Sequence, residues 1–342
     1  MQGMAAILDR YDIGQVDETI EINSGLMHST YLVSASSGRF TLQRLHKKLA
    51  TAEIIGDYEA VTTYLAMKNM LSPRLMRTSD DHPIVTDDEG RWWRLATWID
   101  GETRDKVTSV NEAEQGARAL GRFHRAMADF DHVFASQHPL HDTEAHLAGL
   151  RAALTVPGYT DHRESIGREI EQILEMLPRL LLPHELPQRV VHGDPKISNV
   201  LYRGSEAVGM IDLDTCNRHT LLVDLGDAVR SWCRDGSEDE EQHFRLDRFE
   251  AIIRGYAAEG PALDTIECAY LGGAGRLITL ELASRFARDV MEDEYFAYDA
   301  TRYPSRRAHN QARTRAMLFL ANDMKCHRSE IDDIVHRYLG PF

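Results

Sequence analysis

Residues 190–215 read VVHGDPKISNVLYRGSEAVGMIDLDT. A histidine, three aspartates, an asparagine and a lysine interrupt short apolar runs that read as strands. Buried strands accept charged and amide groups only where something compensates them, so the cluster calls for a specific role. RVV (189–191) is a strand followed by His192, Gly193 and Asp194, with Lys196 two residues on and Asn199 five residues on. AVGMIDLD (207–214) is a second strand that ends in Asp212 and Asp214, and SEAV between them suits a tight hairpin. Paired in this way, the strands would bring Asp194, Asn199 and Asp212 to one end of a small sheet.

Phosphoryl transfer requires this set of groups. One carboxylate orients an attacking hydroxyl and accepts its proton. An amide and a second carboxylate hold Mg2+, a hard cation that prefers oxygen, and a lysine neutralises charge on the transferred phosphate. The spacing from Asp194 to Asn199 is that of the kinase signature H-R-D-x-x-x-x-N. I-D-L-D stands where protein kinases have D-F-G, and no A-P-E segment follows, which argues against a protein kinase.

Composition limits the partners. The chain has 342 residues, 43% hydrophobic and 27% charged, enough for two domains or one large core. A net charge of −15 argues against nucleic acid or an anionic membrane, since both need a basic field. The four cysteines form no C-x-x-C pair, and the histidines form no H-E-x-x-H, so neither a zinc site nor a disulfide framework is suggested. The opening MQGMAAILDRYDIGQ has neither a basic n-region nor a long apolar h-region, and no run of about 18 apolar residues occurs. A cytoplasmic protein is expected. No feature of the sequence specifies an oligomeric state.

Working outward, the chain changes character. TIEINSGLMHSTYLVSA (19–35) is two apolar-rich runs around Asn23, Ser24 and Gly25, a hairpin, and RFTLQRL (39–45) is a third strand. TAEIIGDYEAVTTYLAMKNM (51–70) places Ile54, Tyr58, Val61 and Leu65 at helical spacing. PIVTDDEGRWWRLATWID (83–100) reads as strands with DDEG as the turn. From about residue 111 the pattern is almost wholly helical, including 111–127, 264–291 and 307–324. An N-terminal nucleotide-binding lobe (1–97), a hinge at 97–101 and a C-terminal catalytic and acceptor-binding lobe (98–342) follow.

H-G-D-x-x-x-x-N with I-D-x-D resembles the aminoglycoside phosphotransferase and choline kinase superfamily. That resemblance implies an α+β, bilobal, protein-kinase-like fold, with a small β-rich N-lobe and a large mostly helical C-lobe. HSTYLV (28–33), LITLELASRF (277–286), EYFAYDATRYP (294–304) and ARTRAMLFL (312–320) are similar in order and spacing to the N-acetylhexosamine 1-kinases of that superfamily. The resemblance implies Asp194 as catalytic base, Lys196 near the γ-phosphate, and Asn199 and Asp212 as Mg2+ ligands. It implies that the loop around Asn23, Ser24 and Gly25 covers the ATP phosphates and that Thr97, Trp98, Ile99 and Asp100 face the adenine. Arg285 and Tyr295 match residues placed near the sugar.

Two departures stand out. The phosphate loop has one glycine, Gly25, and Gln43 stands where kinases of this fold place the lysine that binds the α/β-phosphates. Arg44 is adjacent, but strand alternation turns it to the other face. The helix partner of the missing lysine, Glu59, then lacks its ion pair. His192 reads as a structural histidine bonded to backbone near Asp212. Asp214 reads as a supporting carboxylate, a cap or an acceptor contact. Asp224 and Asp227 read as caps of the next helix that brace the catalytic loop.

The expected activity is ATP-dependent phosphorylation of a sugar hydroxyl, at the anomeric position of an N-acetylhexosamine or related hexose. The alternatives are an aminoglycoside, choline or homoserine kinase of the same fold, or a nucleotide- and sugar-binding pseudokinase, for which Gln43 is the only support.

Overall fold

The computed structural model describes residues 2–22, 28–136 and 140–340. A short helix α1 (Gln2–Leu8) precedes strands β1 (Val16–Ile22), β2 (Ser29–Ala35) and β3 (Gly38–Arg44). Helix α2 (Ala52–Met67) follows, then β4 (Leu75–Met76), β5 (Val85–Thr86) and β6 (Trp92–Thr97). The strands form one antiparallel sheet in the order β1-β2-β3-β6-β4, with β5 also on β6. The asparagine, serine and glycine of the expected phosphate loop (Asn23, Ser24, Gly25) lie outside the described residues.

Alternation sorts the sheet's two faces. Phe40 and Leu42 of β3 and Trp93 and Leu95 of β6 pack with Ile7 and Leu8 of α1 in the N-lobe core. Gln43 and Arg94, which are register partners across β3 and β6, therefore share the opposite face. Arg44 turns the other way, to Ser29 Oγ at 2.7 Å.

Helix α2 joins the two lobes. Thr51 caps it by accepting from Ile54 N, and Tyr58, Val61 and Leu65 bury into the core of the helical lobe. Asp57, buried on the same helix, accepts from Ala135 N at 3.1 Å and Ser136 N at 2.9 Å. The same helix thus supplies both the apolar stripe and a carboxylate that fastens it to the larger lobe.

After the hinge the chain forms α3 (Val110–Ala126), α4 (Thr143–Ala153), α5 (Thr160–Glu164) and α6 (Gly167–Met176). The motif region supplies β7 (Arg189–Val191), β8 (Val200–Arg203), β9 (Glu206–Met210) and β10 (Asn217–His219). Then come α7 (Leu221–Trp232), α8 (Leu246–Glu259), α9 (Thr265–Glu292), α10 (Arg306–Cys326) and α11 (Arg328–Leu339). Helix α9 is buried along most of its 28 residues and starts with a full capping box, Asp264 with Glu267. Among the described residues no helix is long and apolar enough to cross a membrane.

One pairing expectation is corrected. The motif strands do not form a single small sheet. Strand β8 pairs with β9, whereas β7 pairs with β10, Val191 opposite Asn217. Hydrophobic runs identified the strands, but partner choice depends on how the loop between Met210 and Asn217 folds back, and periodicity does not carry that.

Candidate active site

The site is built where the two ribbons meet. Strand β7 ends at Val191, His192 follows, and Gly193 turns the chain at φ +85°. A Cβ there would lie 2.4 Å from Thr215 O, so only glycine allows this close approach. Asp194 follows. Its Oδ2 accepts from Lys196 Nζ at 2.6 Å, and Asn199 Nδ2 donates to the Asp194 carbonyl at 2.8 Å. Ile211 N donates to Asn199 O at 2.9 Å, which sets Asp212 beside Asn199 across β8 and β9. Asp212 itself has φ +65°, a left-handed conformation that aspartate tolerates better than most residues.

The loop is held from behind. Asp224, fully buried on α7, accepts from His192 N at 2.6 Å, Gly193 N at 2.9 Å and His124 Nε2 at 2.8 Å. His192 Nε2 donates to Ile211 O at 2.9 Å, the structural role expected for it. Thr220 caps α7, so neither Asp224 nor Asp227 is a cap. Asp227 does not brace the loop either: its Oδ1 pairs with Arg230 at 2.7 Å, and its buried Oδ2 has no hydrogen-bond partner.

Charge is tuned around the reacting centre. Burial works to raise the Asp194 carboxyl, but Lys196, His192 and Arg230 outweigh it and hold it below the ordinary carboxylate range. Lys196 is correspondingly raised, Asp194 and Asp212 overcoming its burial. Asp212 opens to the cleft yet is crowded by protein, and that enclosure, with Asp214 and Asp194, raises its carboxyl. Asp212 and the free Oδ1 of Asn199 offer the hard oxygen donors that a divalent cation bound to a nucleotide needs. A carboxylate of Asp214 and a nitrogen of His28 also come within 4.8 Å of the Asp212 donor.

Asp214 is not an acceptor contact. Both its oxygens are taken by the fork of Arg94, at 2.5 and 2.6 Å, and its side chain is only 2% exposed. Arg94 Nε also donates to Gln43 Oε1 at 2.9 Å, and its guanidinium lies 4.0 Å from the Tyr58 ring centroid. Glu59 is not left without its ion pair: Arg77 holds it bidentately at 2.8 Å. Tyr58, not Glu59, is the α2 residue in contact with this cluster.

At the hinge, Thr97 N and Oγ1 both bond the backbone of Arg74, and Trp98 N donates to Arg39 O at 3.1 Å. Ile99 is half-buried beside them. Gly101 presses against β8, where a Cβ would sit 2.6 Å from the Leu201 side chain.

From Asp194 and Lys196 a cleft of about 420 Å³ runs between α7, α9 and the start of α10. Arg285, Glu281, Asp227, Arg230, Phe296 and Arg313 line it. Tyr295 does not: it is half-exposed outside, with Lys48 Nζ 4.6 Å and the Arg285 guanidinium 5.7 Å from its ring. Asp289 sets this wall by accepting from the backbone of Glu294, Tyr295 and Phe296. Glu292 and Asp293 of the EDEY run (292–295) pair with Arg288 and Arg307, whereas Glu294 is exposed.

The cleft is close to charge balance. Five carboxylates (Asp194, Asp227, Glu238, Glu281, Asp299) meet Lys196, Arg230, Arg285 and Arg313, with His141 and His309 beside them. Burial opposes the charge of His141, but Glu281 at 2.8 Å raises its pKa.

The profile of the phosphotransferase enzyme family (APH) matches residues 18–261. The chain belongs to this family. It is a phosphotransferase that acts on a hydroxyl group of a small molecule. A homoserine kinase of Zymomonas mobilis is 27% identical over 259 residues, 74% of this chain and 76% of that protein. A homoserine kinase of Brucella anthropi is 28% identical over 266 residues, 75% of each. Among solved structures, a microcompartment-associated aminopropanol kinase superposes with a TM-score of 0.66 at 17% identity, covering 95% of this chain and 96% of that one. An amicoumacin kinase in complex with AMP-PNP, Ca2+ and Ami reaches 0.61 at 15% identity, covering 100% and 98%. These likenesses show the bilobal kinase-like fold.

The sequence did not reveal Arg94 or the His141–Glu281 pair, and it gave Asp227 the wrong role, a cap. Asp227 and Arg230 at i and i+3 on one helix were a usable signal. Nothing local marked Arg94, because its partner is 120 residues away.

Proposed function

We propose that this phosphotransferase is a cytoplasmic, ATP- and Mg2+-dependent kinase of a small acceptor with no net charge, and that the acceptor is a hydroxy amino acid of the homoserine type. The observation that carries this reading is the charge balance of the cleft next to Asp194. A polycationic aminoglycoside or a choline-like cation would enter walls whose carboxylates outnumber their lysine and arginines by only one, and would meet Arg285 and Arg313 there. A zwitterion suits them. Arg285 presents a guanidinium fork to a carboxylate, and the carboxylates of the lining attract an ammonium. The homoserine kinases among the relatives support this choice.

In this reading residues 1–97 bind the nucleotide and 98–342 the acceptor. Thr97, Trp98 and Ile99 face the adenine. Asp194 orients the acceptor hydroxyl and takes its proton. Lys196, held 2.6 Å from Asp194, faces the transferred phosphate. Asn199 and Asp212 would hold Mg2+, which would offset charge on the nucleotide phosphates.

A second reading is phosphorylation of a hexose at its anomeric hydroxyl. It is favoured by the cleft's size, ample for a sugar ring, and by the sequence segments similar to N-acetylhexosamine 1-kinases. Tyr295 would then have to turn inward.

The deciding experiment incubates the protein with Mg-ATP and, separately, L-homoserine, 1-amino-2-propanol, N-acetylhexosamines, choline and kanamycin, and identifies products by phosphorus NMR. O-phosphohomoserine is the expected product. A sugar 1-phosphate instead transfers the assignment to the second reading. Efficient turnover of choline or kanamycin alone overturns the neutral-acceptor conclusion.

A further inference from the structure

The structure assigns Arg94 a role in the reaction: it is a positioning residue that takes the place left by the lysine missing at Gln43, reserves Asp214 from the metal and ties the metal loop to the N-lobe. This rests on membership of the phosphotransferase family and not on which acceptor is used.

Gln43 and Arg94 are cross-strand partners on the sheet face that looks away from the N-lobe core. A neutral amide at 43 leaves that face without the expected cation. Arg94 restores one from the neighbouring strand, with Gln43 as its bracket through Nε. Every nitrogen of the guanidinium has a partner: Nε on Gln43, Nη1 and Nη2 on Asp214. Tyr58 of α2 covers the flat face. Arg94 and Asp214 side chains are each 2% exposed, so this is a desolvated, two-point link between strand β6 and the loop that carries Asp212.

The link has a chemical consequence. Donor atoms of His28, Asp212 and Asp214 lie within 4.8 Å of one another, close enough to hold a cation together. Arg94 engages both Asp214 oxygens and His28 Nε2 lies 3.4 Å from Oδ2, which leaves Asp212 the less engaged carboxylate of the pair for the nucleotide's metal. An arginine is needed here: a lysine offers a point charge and cannot grip both oxygens while bonding Gln43.

The test uses the full chain with R94K, R94M and the pair Q43K/R94M. Readouts are kcat and KM for ATP and acceptor, Mn2+ binding without nucleotide by electron paramagnetic resonance, and circular dichroism to confirm folding. In R94M, kcat is expected to fall about 50-fold while acceptor KM stays within about twofold, and Mn2+ to bind about fivefold tighter as Asp214 joins Asp212 and His28. R94K is expected to lose about tenfold in kcat, and Q43K/R94M to recover most of what R94M loses. If R94M does not fold, R94K carries the decision. Unchanged kcat in the folded variants, or unchanged Mn2+ affinity in R94M, overturns the assignment, as does a kcat loss that merely follows the unfolded fraction.

Discussion

Replacing Asp224 by asparagine changes one atom type at the back of the catalytic loop. The carboxylate accepts three N–H groups, from His192, Gly193 and His124, at 2.6, 2.9 and 2.8 Å, with no exposed surface. An asparagine oxygen keeps one or two of them, and its NH2 points a donor at the remainder. Each hydrogen bond to a charged group contributes about 1.5–3 kcal/mol, and a stranded buried donor costs about 1–3 kcal/mol, so a total near 4 kcal/mol follows. With an unfolding entropy of roughly 2.1 cal/mol/K per residue, 342 residues give about 0.7 kcal/mol/K, and the loss lowers Tm by about 6 °C. His192 and Gly193 lead directly into Asp194, so the proposed base also shifts. A displacement near 1 Å is enough for roughly a 100-fold fall in kcat. Calorimetry and initial rates at 25 °C, where the variant stays folded, measure both. A variant that melts within about 1 °C of the parent and retains kcat within twofold would refute the reasoning.

Asp194→Asn is expected to abolish turnover while Mg-ATP binding, followed by calorimetric titration, stays within a few-fold; retained turnover removes Asp194 as base. Asn199→Ala and Asp212→Ala should each raise the Mg2+ needed for half-maximal rate, since each removes one oxygen from a metal that demands near-octahedral geometry. The same half-saturation in both variants would displace the metal from this pair. The buried His141–Glu281 pair predicts a pH effect. Burial opposes ionisation of Glu281, but His141 outweighs it and holds the carboxyl at about 2 against an ordinary 4.5, worth about 3 kcal/mol. That stabilisation is present above pH 4.5 and is lost as pH falls towards 2. His141, raised above 6.5, contributes fully below that pH and loses its share as pH rises through the shifted value. Urea midpoints from pH 5 to 9 should therefore decline on the alkaline side, and Glu281→Gln should flatten that decline; parallel curves would contradict it.

The sequence by itself determined many of the elements and the motif cluster. Ile54, Tyr58, Val61 and Leu65 announced α2, the alternating runs announced β1 to β3 and β6, and H-G-D-x-x-x-x-N with I-D-x-D placed Asp194, Lys196, Asn199 and Asp212. These are local signals, because period 3.6, period 2 and a loop's fixed spacing all lie within a few residues. The tertiary structure decided what depends on residues far apart in the chain. It paired β7 with β10 and β8 with β9. It gave Glu59 to Arg77, turned Asp224 into the loop's brace, and left Tyr295 outside the acceptor cleft. It also brought Arg94 to Asp214 from 120 residues away. A buried charge must find a partner, but the chemistry that demands one does not say which one, and only the packing of β6 and α2 against the metal loop made the choice.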